Sequence, residues 1–138
     1  MERYRLGPLR EVRSLDERAK RNDLAAAVGD ARATAEEVAA AAARVEAARS
    51  VLAAVPPPVS GPAHAIAMAE RYVARCRHLL DDAVAAHARA VAAHTGRQSV
   101  VDAARSKLTA ARANKELIER HFARWREAQR KLADRRED

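Results

Sequence analysis

The stretch Pro56-Pro57-Pro58-Val59-Ser60-Gly61-Pro62 holds four of the chain's five prolines, and it limits the fold more than any other segment. Proline has no N–H to donate and its ring clashes with the preceding turn, so three in a row end a helix. Gly61 then allows a reversal, and Pro62 suits the first turn of a new helix. Both flanks are rich in Ala, Arg, Glu and Leu, all strong helix formers, and the remaining proline is Pro8. The expectation is a single all-α domain over residues 1–138, folded as a long antiparallel two-helix coiled-coil hairpin. Helix 1 is expected over about 8–55 and helix 2, the longer, over about 63–136. The tip between them is formed by Pro56, Pro57, Pro58, Gly61 and Pro62.

The totals agree with a thin helical protein. Aromatic residues make up 3% of the chain, charged residues 33%, and much of the 49% hydrophobic fraction is alanine, which buries little surface per residue. The single cysteine, Cys76, excludes an internal disulfide and suits a reducing compartment. No apolar run approaches a membrane span, and the N-terminus lacks the apolar segment of a secretory signal. The expected setting is cytoplasmic, without direct membrane insertion.

The net charge of +7 is segregated. Residues 24–104 carry eight basic and eight acidic side chains, residues 1–23 carry seven against five, and residues 105–138 carry eleven against six. A chain that folds back at the tip brings both basic segments to one end.

Apolar and small residues in helix 1 recur in steps of four and three: Leu24, Val28, Ala31, Ala35, Val38, Ala42, Val45, Arg49 and Leu52. This is a heptad seam broken at Arg49. Upstream, Leu6, Leu9, Val12 and Leu15 form a second stripe out of phase with it, which implies a stutter near residues 16–23. Ser14 and Glu17 match a capping box, but no helix breaker accompanies them, so the helix is expected to run through. In helix 2 the seam runs unbroken from Ile66 through Val73, Cys76, Leu80 and onward to Phe122, Trp125 and Leu132, keeping phase across Gly96. One continuous helix is therefore expected there. Pairing Leu52 with Ile66 also pairs Val45 with Val73, Ala42 with Cys76 and Val38 with Leu80, and centres the reversal on Val59. In that register Met1 lies near Leu117, and everything from Ile118 onward overhangs by roughly 30 Å. Phe122 and Trp125, the only Phe and Trp, become exposed anchors for a partner.

Few residues suggest catalysis. His87 and His94 lie two helical turns apart, about 10 Å, too far to share a metal ion. Cys76 has no positioned histidine, and its seam position makes it a small core residue. Glu36-Glu37 and Asp81-Asp82 are adjacent on a helix surface, so their members do not face each other. No phosphate-binding loop or zinc spacing is present, and a two-helix section offers no pocket of ligand size. Enzymatic activity, cofactors and metals are not expected. The basic run Arg120, Arg124, Arg126, Arg130, Lys131, Arg135 and Arg136 raises the question of nucleic acid. Interleaved Glu119, Glu127, Asp134, Glu137 and Asp138 dilute it, which favours docking to protein over nucleic acid. The candidate contact residues are Arg120, Phe122, Arg124, Trp125, Arg126, Arg130 and Lys131.

The opening Pro8-Leu-Arg-Glu-Val-Arg-Ser-Leu-Asp-Glu-Arg-Ala-Lys-Arg resembles the N-terminal arm of type III secretion stalk proteins, the YscO group and flagellar FliJ. The charged ending from Asn114 to Asp138 is similar to their C-terminal helix, and length and hairpin layout also agree. The resemblance implies a central stalk of the export apparatus, peripheral to it at the inner membrane. The partners it implies are the hexameric export ATPase, the export gate membrane protein and secretion chaperones; it supplies no catalytic residues. The alternatives are a generic coiled-coil adaptor that self-associates and, below it, a nucleic-acid-binding basic helix.

Overall fold

The computed structural model describes residues 3–57 and 60–137. Pro58 and Val59, and with Val59 the expected centre of the reversal, lie outside the described residues. Among the described residues the protein is all-helical, with α1 spanning Gly7–Ala53 and α2 spanning Ala63–Glu137. The helices pair as a hairpin, and α2 is the longer, 75 residues against 47.

The helix ends follow local chemistry. Pro8 occupies the first turn of α1, where its missing N–H has no helical partner to lose. At the other end Pro56 biases Val55 out of the helical region. Val55 donates to the Leu52 carbonyl at 3.3 Å in a tightened last turn, and the helix stops at Ala53, about two residues short of expectation. Pro62 caps α2 instead of joining it: its carbonyl accepts from the amides of Ala65 (2.9 Å) and Ile66 (3.3 Å). α2 then runs through Gly96 without interruption, and an added Cβ there would meet nothing within 4 Å.

The chain divides into two units, Met1–Val28 with Ser99–Asp138, and Gly29–Gln98. The accessible surface is 10679 Å², against roughly 7,000 Å² for a globular chain of this size, so most of each helix stays at the surface.

In the unit Gly29–Gln98 the contact line is made of small residues. Ala31, Ala41, Val45 and Cys76 are buried, with Thr34, Val38, Ala48 and Leu52 half-buried beside them. The contact line of α1 lies one residue earlier than expected at alternate positions: Ala48 fills the seam, while Arg49 turns out and pairs with Glu46 at 2.8 Å. The expected break in the seam therefore disappears. Thr34 and His94 meet across the pair at 2.9 Å, and Arg97 approaches Asp30 at 3.8 Å.

These cross-pairs correct the register. Val45 and Ala42 share a hollow with Val84 and His87, not with Val73 and Cys76. The slide is about eleven residues, close to three full turns, so it presents the same faces of both helices and leaves the heptad pattern unchanged. Continued at this spacing, the end of α1 at Ala53 comes level with Cys76, the first buried residue of α2. Residues 63–72 of α2, Ile66 among them, are accordingly all exposed. The overhang expected beyond Ile118 is shortened, since Gly7 comes level with Phe122, and a second overhang of about 20 Å of helix stands at the start of α2.

In the other unit the burial pattern of α2 follows the expected seam, with Val101, Leu108, Ala111 and Ile118 all buried. α1 shows no stutter. Its contact line continues in phase through Leu24, Lys20, Glu17, Arg13 and Arg10. The stripe Leu6, Leu9, Val12, Leu15 advances only in threes, and each such step falls about 60° behind the helical repeat. It winds off the contact line, and exposure climbs from 37% at Leu6 to 60% at Leu15.

Candidate partner-docking site at the paired termini

A charged contact line needs charge to answer it, and the unit holding both termini supplies it. Glu17 is the buried charged residue there, 4% exposed. In the expected register it would have faced Val101; in the observed one it meets three cations. Arg21, one turn on, donates to both carboxylate oxygens (2.6 and 2.9 Å), while Arg112 and Lys115 of α2 approach at 3.5 and 3.8 Å. The Arg21 hydrogen bonds hold the Glu17 carboxyl below the usual glutamate range, against desolvation that raises it; the charges of Arg21 and Lys115 and the Arg112 bond add to the lowering. A second cross-pair lies nearer the termini, with Arg10 Nε donating to Glu119 Oε1 at 2.7 Å. This bond lowers Glu119 and raises Arg10.

Beyond Glu119 the contact becomes aromatic. Tyr4, in the arm ahead of α1, lies 5.0 Å from the rings of both Phe122 and Trp125, which stack on each other at 5.7 Å. Its hydroxyl shares a 2.9 Å hydrogen bond with His121 Nδ1. The Arg10 guanidinium sits 4.1 Å over the Phe122 ring, and Arg126 lies 5.9 Å from it. Each aromatic pair contributes about 0.5–1.5 kcal/mol beyond its buried area, so the cluster fastens the N-terminal arm to α2.

This arrangement changes the standing of the expected contact residues. Phe122 and Trp125 are half-buried members of an internal cluster, because the true register brings Tyr4 level with them. Arg120 is tied to Glu116 one turn back, and Lys131 to Glu127 at 2.7 Å. Arg124 and Arg130 are exposed and lie in no ion pair among the described residues; Arg126 faces Phe122 from outside. At the tip, Pro56, Pro57, Gly61 and Pro62 are exposed, and Gly61 approaches the Ala65 Cβ at 4.0 Å. Pro58 is not among the described residues.

The same fold-back of the arm creates recesses where none of ligand size was expected. One, of about 770 Å³, runs between Arg3, Arg5, Pro8, Glu11, Ser14 and Glu119. Another, of about 550 Å³, is walled by Arg3, Tyr4, Arg5, Leu6, His121 and Trp125. Arg3, Tyr4 and Arg5 escaped the sequence reading because they precede the helix and belong to no periodic pattern. The available signal was compositional: three of the four aromatic residues and both net-basic segments fall toward the termini.

The other candidates are accounted for by packing. His94 takes part in the Thr34 bond: the Thr34 hydroxyl donates to the Ala31 carbonyl at 2.9 Å and so accepts from His94 Nδ1. His87 lines the small hollow beside Val45, and Cys76 is a buried thiol. Among the described residues no three His, Cys, Asp or Glu side chains converge as metal ligands, and no helix is long and apolar enough to cross a membrane. Compared with protein families, curated proteins and solved structures, the chain matches none.

Proposed function

We propose that this protein is a docking stalk of a type III secretion export apparatus, seated by its terminal unit in the hexameric export ATPase and reaching toward the export gate membrane protein. The observation that carries this reading is the coincidence, in one unit, of arginines outside any ion pair among the described residues, recesses and an aromatic cluster on a plain helical hairpin. Clustered surface charge steers association and fixes orientation, which is what a shaft entering a ring requires. The resemblance of the Pro8–Arg21 arm and the Asn114–Asp138 helix to the YscO/FliJ stalks supplies the identity of the ring.

The test is binding to a purified export ATPase. Reversing Arg124→Glu and Arg126→Glu together weakens binding and lowers stimulation of ATP hydrolysis; unchanged binding contradicts the reading. A self-associating adaptor is the second reading, and the outward Leu9, Val12 and Leu15 favour it. Light scattering separates the two: a monomer supports the stalk, and a stable dimer or tetramer supports the adaptor.

A further inference from the structure

We propose that the recess walled by Arg3, Arg5, His121, Tyr4, Leu6 and Trp125 is a binding site for a short carboxylate-bearing protein segment with apolar neighbours. This rests on the docking reading and adds to the C-terminal arginines a contact point on the N-terminal arm. The lining is lopsided. Two guanidinium groups and an imidazole face the hollow with no carboxylate among its described walls, and the rest of the surface is Tyr4, Leu6 and Trp125. Guanidinium forks bind carboxylates in a bidentate manner, and the aromatic and leucine walls reward apolar groups on either side of the acid. Its volume of about 550 Å³ lies within the range of ordinary ligand sites, enough for a few side chains. The arm is held in place by the Tyr4–His121 bond and the ring contacts with Phe122 and Trp125, so the site is preorganised on the packed side.

The neighbouring recess argues against a polyanion. It shares Arg3 and Arg5 but is also lined by Glu11 and Glu119. A phosphate backbone continuing out of the first hollow would run onto these carboxylates, whereas a short acidic segment ends before reaching them. Arg10, the other cation of that wall, is already bound to Glu119.

Trp125 is the chain's sole tryptophan, so its emission reports the recess directly. The full chain is titrated with a synthetic peptide of alternating Glu and Leu, its Gln-for-Glu twin, and a polythymidine oligonucleotide. The expected result is a saturable, salt-sensitive change with the acidic peptide and none with the twin. In the double variant Arg3→Glu/Arg5→Glu, whose folding is checked by circular dichroism, affinity falls about tenfold or more. No saturable change, an equal response to the neutral twin, full binding by the double variant, or tighter binding of the oligonucleotide overturns the proposal. Binding to the export ATPase separates its failure from that of the docking reading. If wild type and double variant bind the ATPase equally, the recess assignment fails and docking stands. If the peptide fills the recess while wild type ignores the ATPase, the recess stands and that docking partner is wrong.

Discussion

The two units of this hairpin use the same helices and opposite chemistry. In Gly29–Gln98 the contact line is mostly alanine and valine, joined by Cys76, Leu52 and one Thr34–His94 hydrogen bond. In the terminal unit, α2 contributes Leu108, Ile118, Phe122 and Trp125, while α1 answers with Arg10 and Glu17 and the arm ahead of it with Tyr4. The alanine-lined unit gains from close approach of the helices. The terminal unit gains from bulk, ion pairs and ring contacts, and it concentrates surface arginines beside recesses. Charged residues placed in a contact line cost desolvation that a purely structural hairpin has no need to bear.

Core truncation separates the two units by the widest margin. Leu108→Ala should cost about 3 kcal/mol in urea unfolding, because a buried leucine leaves a cavity. Val45→Ala in the other unit should cost about 1.5 kcal/mol, the loss of two methyl groups from a line of small residues. Equal losses would mean that the two units are held by similar packing after all.

Acid tests the ionic half next. Glu17 and Glu119 both titrate below the usual glutamate value because arginines hold their charged forms. A carboxylate depressed in the folded state adds stability that is fully present above its unfolded value and is lost as pH falls through the folded one. The melting temperature should therefore drop as pH is lowered below about 4.5. In Glu17→Gln it should start lower at neutral pH and respond less to acid. A pH profile identical to wild type removes the ionic seam from the picture.

Smaller effects sharpen the alanine-lined half. Thr34→Val deletes the hydroxyl that accepts from His94 and should cost about 1 kcal/mol. Gly96→Ala, in a helix interior where the new methyl meets nothing, should stabilise by up to about 1 kcal/mol. Destabilisation by Gly96→Ala would reveal a packing role that the open surroundings do not suggest.

The hairpin and the contact line of α2 were legible because prolines stop helices and large residues alternate there at threes and fours. The contact line of α1 was not, for a physical reason. At Ala41–Ala42 both neighbours are alanine, and at Thr34–Ala35 both are small, so the pattern cannot choose between them. The register was hidden more deeply, since a slide of about three turns preserves every face. Polar pairs decide it: Glu17 finds Arg112 and Lys115, Arg10 finds Glu119 and Asp30 finds Arg97 only in the observed alignment. The acidic and basic partners were visible, but which would meet depended on that slide. Tyr4 shows the same limit at the site, since a residue ahead of a helix has no periodicity to place it. The arginine cluster itself was readable; that Arg120 and Lys131 would be paired within their own helix followed from one-turn spacing to Glu116 and Glu127.

The most direct measurement compares charge reversal in the two units against one partner. Wild type, Arg124→Glu/Arg126→Glu in the terminal unit and Arg77→Glu/Arg89→Glu in the alanine-lined unit are each titrated with purified hexameric export ATPase. If the terminal unit is the docking end, the first double variant binds about tenfold more weakly or worse, and the second binds like wild type. Loss of binding in Arg77→Glu/Arg89→Glu with Arg124→Glu/Arg126→Glu unaffected, or no saturable binding by wild type, would contradict it.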